Sequence, residues 1–324
     1  MGRPTRFTRP ITAAVTFMLL LLLAGCGGSD EPAGGGSGPA TVRLGVIPIV
    51  DVAPVYLGQE KGFFEKRDIT LKLSSGVGGA AIVPGVVSGD LDIGFGNNVS
   101  TIQAVSKDLP MQIVASGVYS TGKQGEDYIA VVVPEDSPIE TAADLEGRTV
   151  AINTLENLGD LTMRASVQKA GGDPSKVKFL ELDFPEMNAT LRSGRVDAIW
   201  QVEPFLTIAK NQGNRVVASP IVDVGEGTLV STYFTTEQYA ESNEDVVRRF
   251  KEAVDESLTY AQEHPDEVRG VLHQYTEIPP EVASEITLPR WDPAISEESL
   301  TRLAEFAERY GLIEQRVSPD ELLQ

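Results

Sequence analysis

The sequence predicts an α/β protein of two lobes, and three observations carry that prediction. Short β-branched runs alternate with stretches of helical spacing from Val42 onward. "YIAVVVPEDSP" (128–138), a strand ending in a Pro-containing turn, interrupts that rhythm before a second α/β set begins. A late strand-like run, "GTLVSTYFTT" (227–236), then returns the chain to the first lobe, which a helical remainder completes. The expected division is 41–130 with 230–324 for the first lobe and 131–229 for the second. Two chain crossings form a two-strand hinge, and the ligand cleft lies between the lobes.

The elements follow in order. "VRLGVIPI" (Val42–Ile49) reads as a strand; "APVYLGQEKGFFEKRD" after it spaces Ala53, Tyr56 and Leu57 on one helical face and puts Gly62 where a helix C′ residue belongs. "ITLKL" (Ile69–Leu73) alternates as a second strand. "GGAAIVPGVVSG" reads as a helix ended by Gly89, with Pro84 placed to kink it, and "LDIGF" (Leu91–Phe95) as a third strand. "VSTIQAVSK" and "MQIVASG" (Met111–Gly117) add one more helix and strand, so a mostly parallel sheet is expected. In the second lobe the strands are "TVAI" (Thr149–Ile152), "VKFLEL" (Val177–Leu182) and "VDAIW" (Val196–Trp200), separated by helices over "LGDLTMRASVQKAGG" and "EMNATLRSG". In the remainder Val246, Val247, Phe250, Val254, Leu258 and Ala261 share one apolar helical face, and Leu300, Leu303, Ala304, Ala307 and Tyr310 another before Gly311.

Ahead of the body, Arg3, Arg6 and Arg9 precede an apolar stretch of 15 residues, Ile11–Gly25. That is shorter than the roughly 20 residues a membrane-spanning helix needs, so residues 1–25 read as a secretion signal. Cys26, the one cysteine of the chain, follows directly. A single thiol forms no intramolecular disulfide, and without a second sulfur or a histidine pair beside it no structural zinc site. Leu23-Ala24-Gly25-Cys26 resembles the bacterial lipobox, in which signal peptidase cuts before a cysteine that receives a diacylglyceryl group. An ordinary cleaved signal with an incidental cysteine is the alternative. Residues 26–40, which include "GGSDEPAGGGSGPA", have too little apolar content to order and read as a flexible tether. The formal net charge is −20, and three of the basic residues lie in the leader, so the body is more acidic still. Such a surface disfavours nucleic acid and anionic headgroups and otherwise serves solubility.

Four stretches, "APVYLGQEKGFFEKRDI", "GGAAIVPGVVSGDLDIGF", "DLEGRTVAI" and "SGRVDAIWQVEPF", resemble in order and spacing the solute-binding proteins of bacterial ABC importers. The group concerned takes up nitrate, sulfonates, taurine and thiamine-precursor pyrimidines. The resemblance implies a type II periplasmic-binding-protein fold and a monomeric receptor that captures a small organic or oxyanion solute by hinge closure. The receptor hands the solute to a permease and its ATPase, from the outer face of the cytoplasmic membrane where a lipid on Cys26 holds it. A neutral or amino-bearing heterocycle, such as a thiamine-precursor pyrimidine, is the alternative solute. An enzyme on the same fold is the competing class. Against it, His264 and His273 fall in the helical remainder, no metal-ligand cluster appears, and Cys26 belongs to the leader, so neither cofactor nor metal is expected.

Ligand contacts are expected at strand-to-helix junctions, where the first helical turn offers free N–H groups. Asp51 reads either as the N-cap of the first helix or as a partner for a ligand N–H. Gly76, Gly78 and Gly79 could let backbone amides approach a ligand, or simply form a turn. Asn97 and Asn98 can cap a helix or offer both donor and acceptor. Thr154 and Asn157 occupy the corresponding junction of the second lobe. Tyr119 and Trp200 could stack on a planar ligand, with core packing the commoner use. Glu203, of the Glu-Pro pair in "WQVEPF", bonds across the hinge or reaches the ligand. No Arg or Lys occupies these junctions, so an anion would depend on helix N-termini and neutral donors unless Lys123 or Arg164 reaches in.

Overall fold

The computed structural model describes residues 38–323; the leader, Cys26 and the tether up to residue 37 lie outside the described residues. Strand β1 (Ala40–Val46) passes through a 3-10 turn, Val50–Val52, into helix α1 (Ala53–Glu60). Gly62 then takes φ +73°, a left-handed conformation that costs a glycine nothing and ends the helix where the sequence indicates. Strand β2 (Ile69–Ser75), helix α2 (Gly79–Val87), strand β3 (Ile93–Asn97), helix α3 (Asn98–Val105) and strand β4 (Met111–Tyr119) continue the alternation. Helix α2 runs without interruption through Pro84.

The chain then crosses to a second sheet made of β5 (Ile129–Pro134), β6 (Thr149–Ile152), β7 (Lys178–Glu181), β8 (Ala198–Val202) and β9 (Asn214–Ala218). Helices α4 (Leu158–Lys169), α5 (Phe184–Arg192), α6 (Phe205–Asn211) and α7 (Pro220–Val224) accompany it. The first crossing lies within residues 120–128, upstream of the expected position at 130/131, because Ile129 and Ala130 already pair with Val202 and Gln201. Strand β10 (Leu229–Thr236) re-enters the first sheet, followed by α8 (Glu237–Ser242), α9 (Glu244–Glu263), α10 (Pro265–Val271) and α11 (Pro280–Glu285). Strand β11 (Arg290–Trp291), α12 (Glu297–Arg309) and α13 (Pro319–Leu322) complete the described chain.

The strand orders are β11-β4-β10-β3-β1-β2 and β7-β6-β8-β5-β9. Both sheets are mixed, correcting the expectation of mostly parallel pairing: β1 is parallel to β2 and β3, but β10 is antiparallel to β3 and β4, and β5 antiparallel to β8 and β9. The physical reason is the hinge. In each sheet the strand that brings the chain across enters at the edge where its neighbours leave, so it must run against them. The remainder after β10 is also not wholly helical, since β11 pairs with the end of β4.

The central strands of both sheets are buried on both faces. Helix α9 packs on α1 through Phe250, Ala253, Val254, Leu258 and Ala261, while Val246 and Val247 at its start are only half-buried. Leu300, Leu303, Ala304 and Ala307 of α12 are buried against α3 and neighbouring elements. Tyr310, just past that helix, donates its hydroxyl to Gln168 on α4, 2.7 Å away. Among the described residues no helix is long and apolar enough to cross a membrane.

Candidate ligand-binding cleft

The carboxyl ends of β1, β2, β3, β6, β7 and β8 face one another across the hinge, where an open α/β architecture binds its ligands. Two neighbouring cavities occupy this space. The inner one, about 30 Å³, is lined by Asp51, Asn97, Asn153, Trp200 and Ser231 among others. At roughly 10–15 Å³ per water it has room for about two. The outer one, about 200 Å³, is apolar and lined chiefly by Ile47, Ile49, Val77, Phe184 and Phe205. Ile47, Ile49 and Phe184 belong to both walls, so the two are adjacent parts of one cleft. Phe184 stacks on Trp200 (centroids 6.0 Å apart, 27° between planes) and on Phe205 (6.4 Å, 11°), forming an aromatic wall from inner to outer space. Neither cavity is lined by Lys, Arg or His.

Asp51 is the inner cavity's charged group. It is 2% exposed and lies in the 3-10 turn, and α1 has Val52 at its N-cap position without any side-chain cap, so Asp51 does not cap that helix. Its Oδ2 accepts from Ser231 Oγ at 3.4 Å, while Oδ1 has no hydrogen-bond partner. The buried hydroxyl of Tyr128 faces this carboxylate without completing a bond of good geometry. Burial pushes the carboxyl up to about 7, opposed by backbone hydrogen bonding and the nearby Ser231 and Tyr128 hydroxyls.

Of the other expected contacts, Asn97, Trp200 and Gly76 line the cleft. Asn97 also caps α3, its Oδ1 accepting from Ser100 N at 3.1 Å, so both of its expected roles coexist. Trp200 presents its ring to the inner cavity and donates Nε1 to Thr162 Oγ1 at 3.1 Å. Gly78 and Thr154 form a contact between lobes: a Cβ on Gly78 would stand 3.0 Å from Thr154 Oγ1. Asn157 makes a second bridge, donating Nδ2 to Gln103 Oε1 at 2.9 Å and to Ser100 Oγ at 3.2 Å across the cleft. It holds the N-cap position of α4, yet its side chain does not cap the helix.

Four residues considered as ligand contacts line neither cavity, and Glu203 among them takes the other role expected of it, a bond across the hinge. Gly79 packs within its own lobe, where a Cβ would meet Ser100 Oγ at 2.9 Å. Asn98 is fully buried away from the cavities, donating Nδ2 to Leu229 O and accepting from Thr232 Oγ1, because the returning strand needs a partner for its backbone there. Tyr119 turns to the C-terminal segment, its hydroxyl donating to Ala294 O and its ring lying under the Arg290 guanidinium at 4.1 Å. Glu203, fully buried, accepts from Thr207 N (3.0 Å), Thr207 Oγ1 (2.7 Å) and Thr287 N (3.2 Å), so its carboxylate ties β8 and α6 to the C-terminal segment. The two cations considered stay out as well: Arg164 pairs with Asp160 and lies over Phe179, and Lys123 is exposed.

Phe184, Asn153 and Ser231 were not among the expected contacts. Asn153 directly follows β6, in the junction that supplied Thr154 and Asn157, and Phe184 stands in "LDFP" after β7, a junction to which the same rule extends. Ser231 is different, because it enters from the start of an antiparallel strand.

Comparison with known proteins places this geometry in a family context. A model of the NMT1/THI5-like family matches residues 49–268. Over 225 residues the chain is 26% identical to the formylaminopyrimidine-binding protein of Halalkalibacterium halodurans, covering 67% of this chain and 64% of that one. Over 236 residues it is 29% identical to a putative aliphatic sulfonates-binding protein of Escherichia coli, covering 70% and 69%. In structure it is similar to the alkanesulfonate-binding protein of Xanthomonas axonopodis pv. citri (TM-score 0.75, 17% identity, covering 89% and 99%). The desulfurization enzyme DszB shares the fold too (TM-score 0.65, 18% identity, covering 87% and 96%).

Proposed function

The chain belongs to the NMT1/THI5-like family, and on that premise we propose that it is the extracytoplasmic solute-binding component of an ABC importer. It captures a small solute between its lobes and presents the closed form to a permease and its ATPase. The cleft is the observation that carries this reading. The lobes meet at Gly78–Thr154 and Asn157–Gln103 beside an inner space of about 30 Å³, which no organic solute enters unless they part, the geometry of hinge capture. Relatives named for aliphatic sulfonates and for a formylaminopyrimidine support a small organic or oxyanion solute. Attachment through a diacylglyceryl group on Cys26 belongs to the same proposal, since two acyl chains retain a receptor at the membrane.

Binding without chemistry separates a receptor from an enzyme on this fold. One of the two tryptophans of the chain, Trp200, lines the inner cavity, whereas Trp291 is buried in β11. Titration of a bound solute is expected to change Trp200 emission, to keep doing so in Trp291→Phe, and to return the solute chemically unchanged. Time-dependent conversion of that solute would overturn the receptor reading.

A further inference from the structure

We propose that Asp51 selects the solute: its unpartnered Oδ1 accepts an N–H from a nitrogen-bearing group, cationic or amino, whose apolar body occupies the outer cavity against Phe184 and Phe205. This rests on the receptor reading and names the solute class for that same cleft.

Four observations converge on it. Asp51 is almost wholly removed from water, and an oxygen buried without a partner destabilises the fold unless something in the cavity satisfies it. The group lines the cavity, so a solute can supply that partner. No Lys, Arg or His lines either part of the cleft, so a sulfonate or nitrate would meet a carboxylate with no counter-ion, an arrangement that disfavours it. The outer wall is apolar and aromatic, with two stacked ring pairs, which suits a flat ring or short aliphatic body and not a bare oxyanion.

The groups facing Asp51 do not supply the missing cation. Ser231 from β10 donates a hydroxyl to Oδ2. Tyr128 before β5, Tyr233 on β10 and Tyr275 after α10 are neutral phenols held high by burial, and Asp127 adds a second carboxylate's repulsion. A cation in the cavity would therefore favour the ionised carboxylate and release a proton on binding wherever the free group is protonated. With the free carboxyl near 7, cation affinity should be roughly 100-fold weaker at pH 5 than at pH 9.

The test is calorimetric titration of the full chain with benzamidine, which stays cationic throughout this range, and with 4-aminopyrimidine, ethanesulfonate and nitrate. The expected result is binding of benzamidine or 4-aminopyrimidine, weakened at least tenfold by Asp51→Asn. Benzamidine affinity should also fall steeply from pH 9 to pH 5 in the unaltered protein, a readout that does not depend on the variant folding. The inference is overturned if neither nitrogen-bearing probe binds, if benzamidine affinity is flat across that range, or if a folded Asp51→Asn binds as tightly as the original. Tight binding of ethanesulfonate or nitrate alone would overturn it while leaving the receptor reading intact. Chemical conversion of a probe would instead overturn the receptor reading.

Discussion

Gly78 and Thr154 stand on opposite lobes in close approach: a Cβ added to Gly78 would lie 3.0 Å from Thr154 Oγ1 and 3.1 Å from Asn153 Nδ2, tight enough that the opposing side chains would have to give way. The backbone at Gly78 is extended (φ 179°), a conformation open to any residue, so the restriction comes from the opposing lobe. Gly78→Val should leave the stability of the solute-free protein nearly unchanged, because parted lobes accommodate the side chain. Solute affinity should fall about tenfold, the equivalent of 1.4 kcal/mol charged against closure. Thermal unfolding without solute and calorimetry with it would check the two halves.

Asn157 and Gln103 make a polar bridge between the lobes, at 2.9 Å, with Ser100 beside it. Asn157→Ala should shift the solute-free protein toward an open form, visible as a larger radius of gyration in X-ray scattering. A double-mutant cycle with Gln103→Ala should give a coupling of about 1 kcal/mol in solute binding. A coupling near zero would mean that the bridge plays no part in closure.

Glu203 is a heavily bonded carboxylate near the hinge, accepting from both backbone and hydroxyl of Thr207 and from Thr287 N. Glu203→Ala leaves those buried donors unsatisfied and should cost about 3 kcal/mol or more of stability in urea unfolding. Glu203→Gln should cost less, because its amide oxygen still accepts.

Asp51 makes stability depend on pH. Its carboxyl holds its proton more tightly in the folded chain, near 7, than at the ordinary value of 3.8. The folded state therefore binds more protons between those values, and stability falls as pH rises from about 4 to about 7, then levels off. The full span is worth on the order of 4 kcal/mol. Asp127 and Glu203 are raised by burial too and tilt the profile the same way, so the comparison with Asp51→Asn isolates the one group. In urea unfolding the variant should exceed the original protein at pH 8 and differ little from it near pH 3.5, below the ordinary carboxyl value.

Local pattern was enough to read most elements. β-branched runs and helical spacing located β1 through β4, β6 and β10, and Gly62 and Gly311 mark helix ends at positive φ because only glycine enters that region cheaply. Strand β11, two residues long, is too short for a periodic signal, and β9 is an edge strand opening on the polar pair Asn214-Arg215; both exist because a neighbouring strand offers them hydrogen bonds.

The alternation of elements, the two-lobed plan and the placing of candidate ligand contacts at strand ends are thus legible in the chain alone, because they rest on patterns among residues close together. Which strand ends share a cavity, and which polar side chains are already satisfied, depends on segments far apart in the chain. Asn98, Tyr119 and Glu203 looked as available as Asp51, but partners 84 to 175 residues away occupy them. Asp51 Oδ1 alone of these is left open, because Ser231, 180 residues on, bonds the other oxygen and the Tyr128 hydroxyl that faces the carboxylate completes no bond to it. That asymmetry follows from how the hinge brings distant segments together, which no local pattern records.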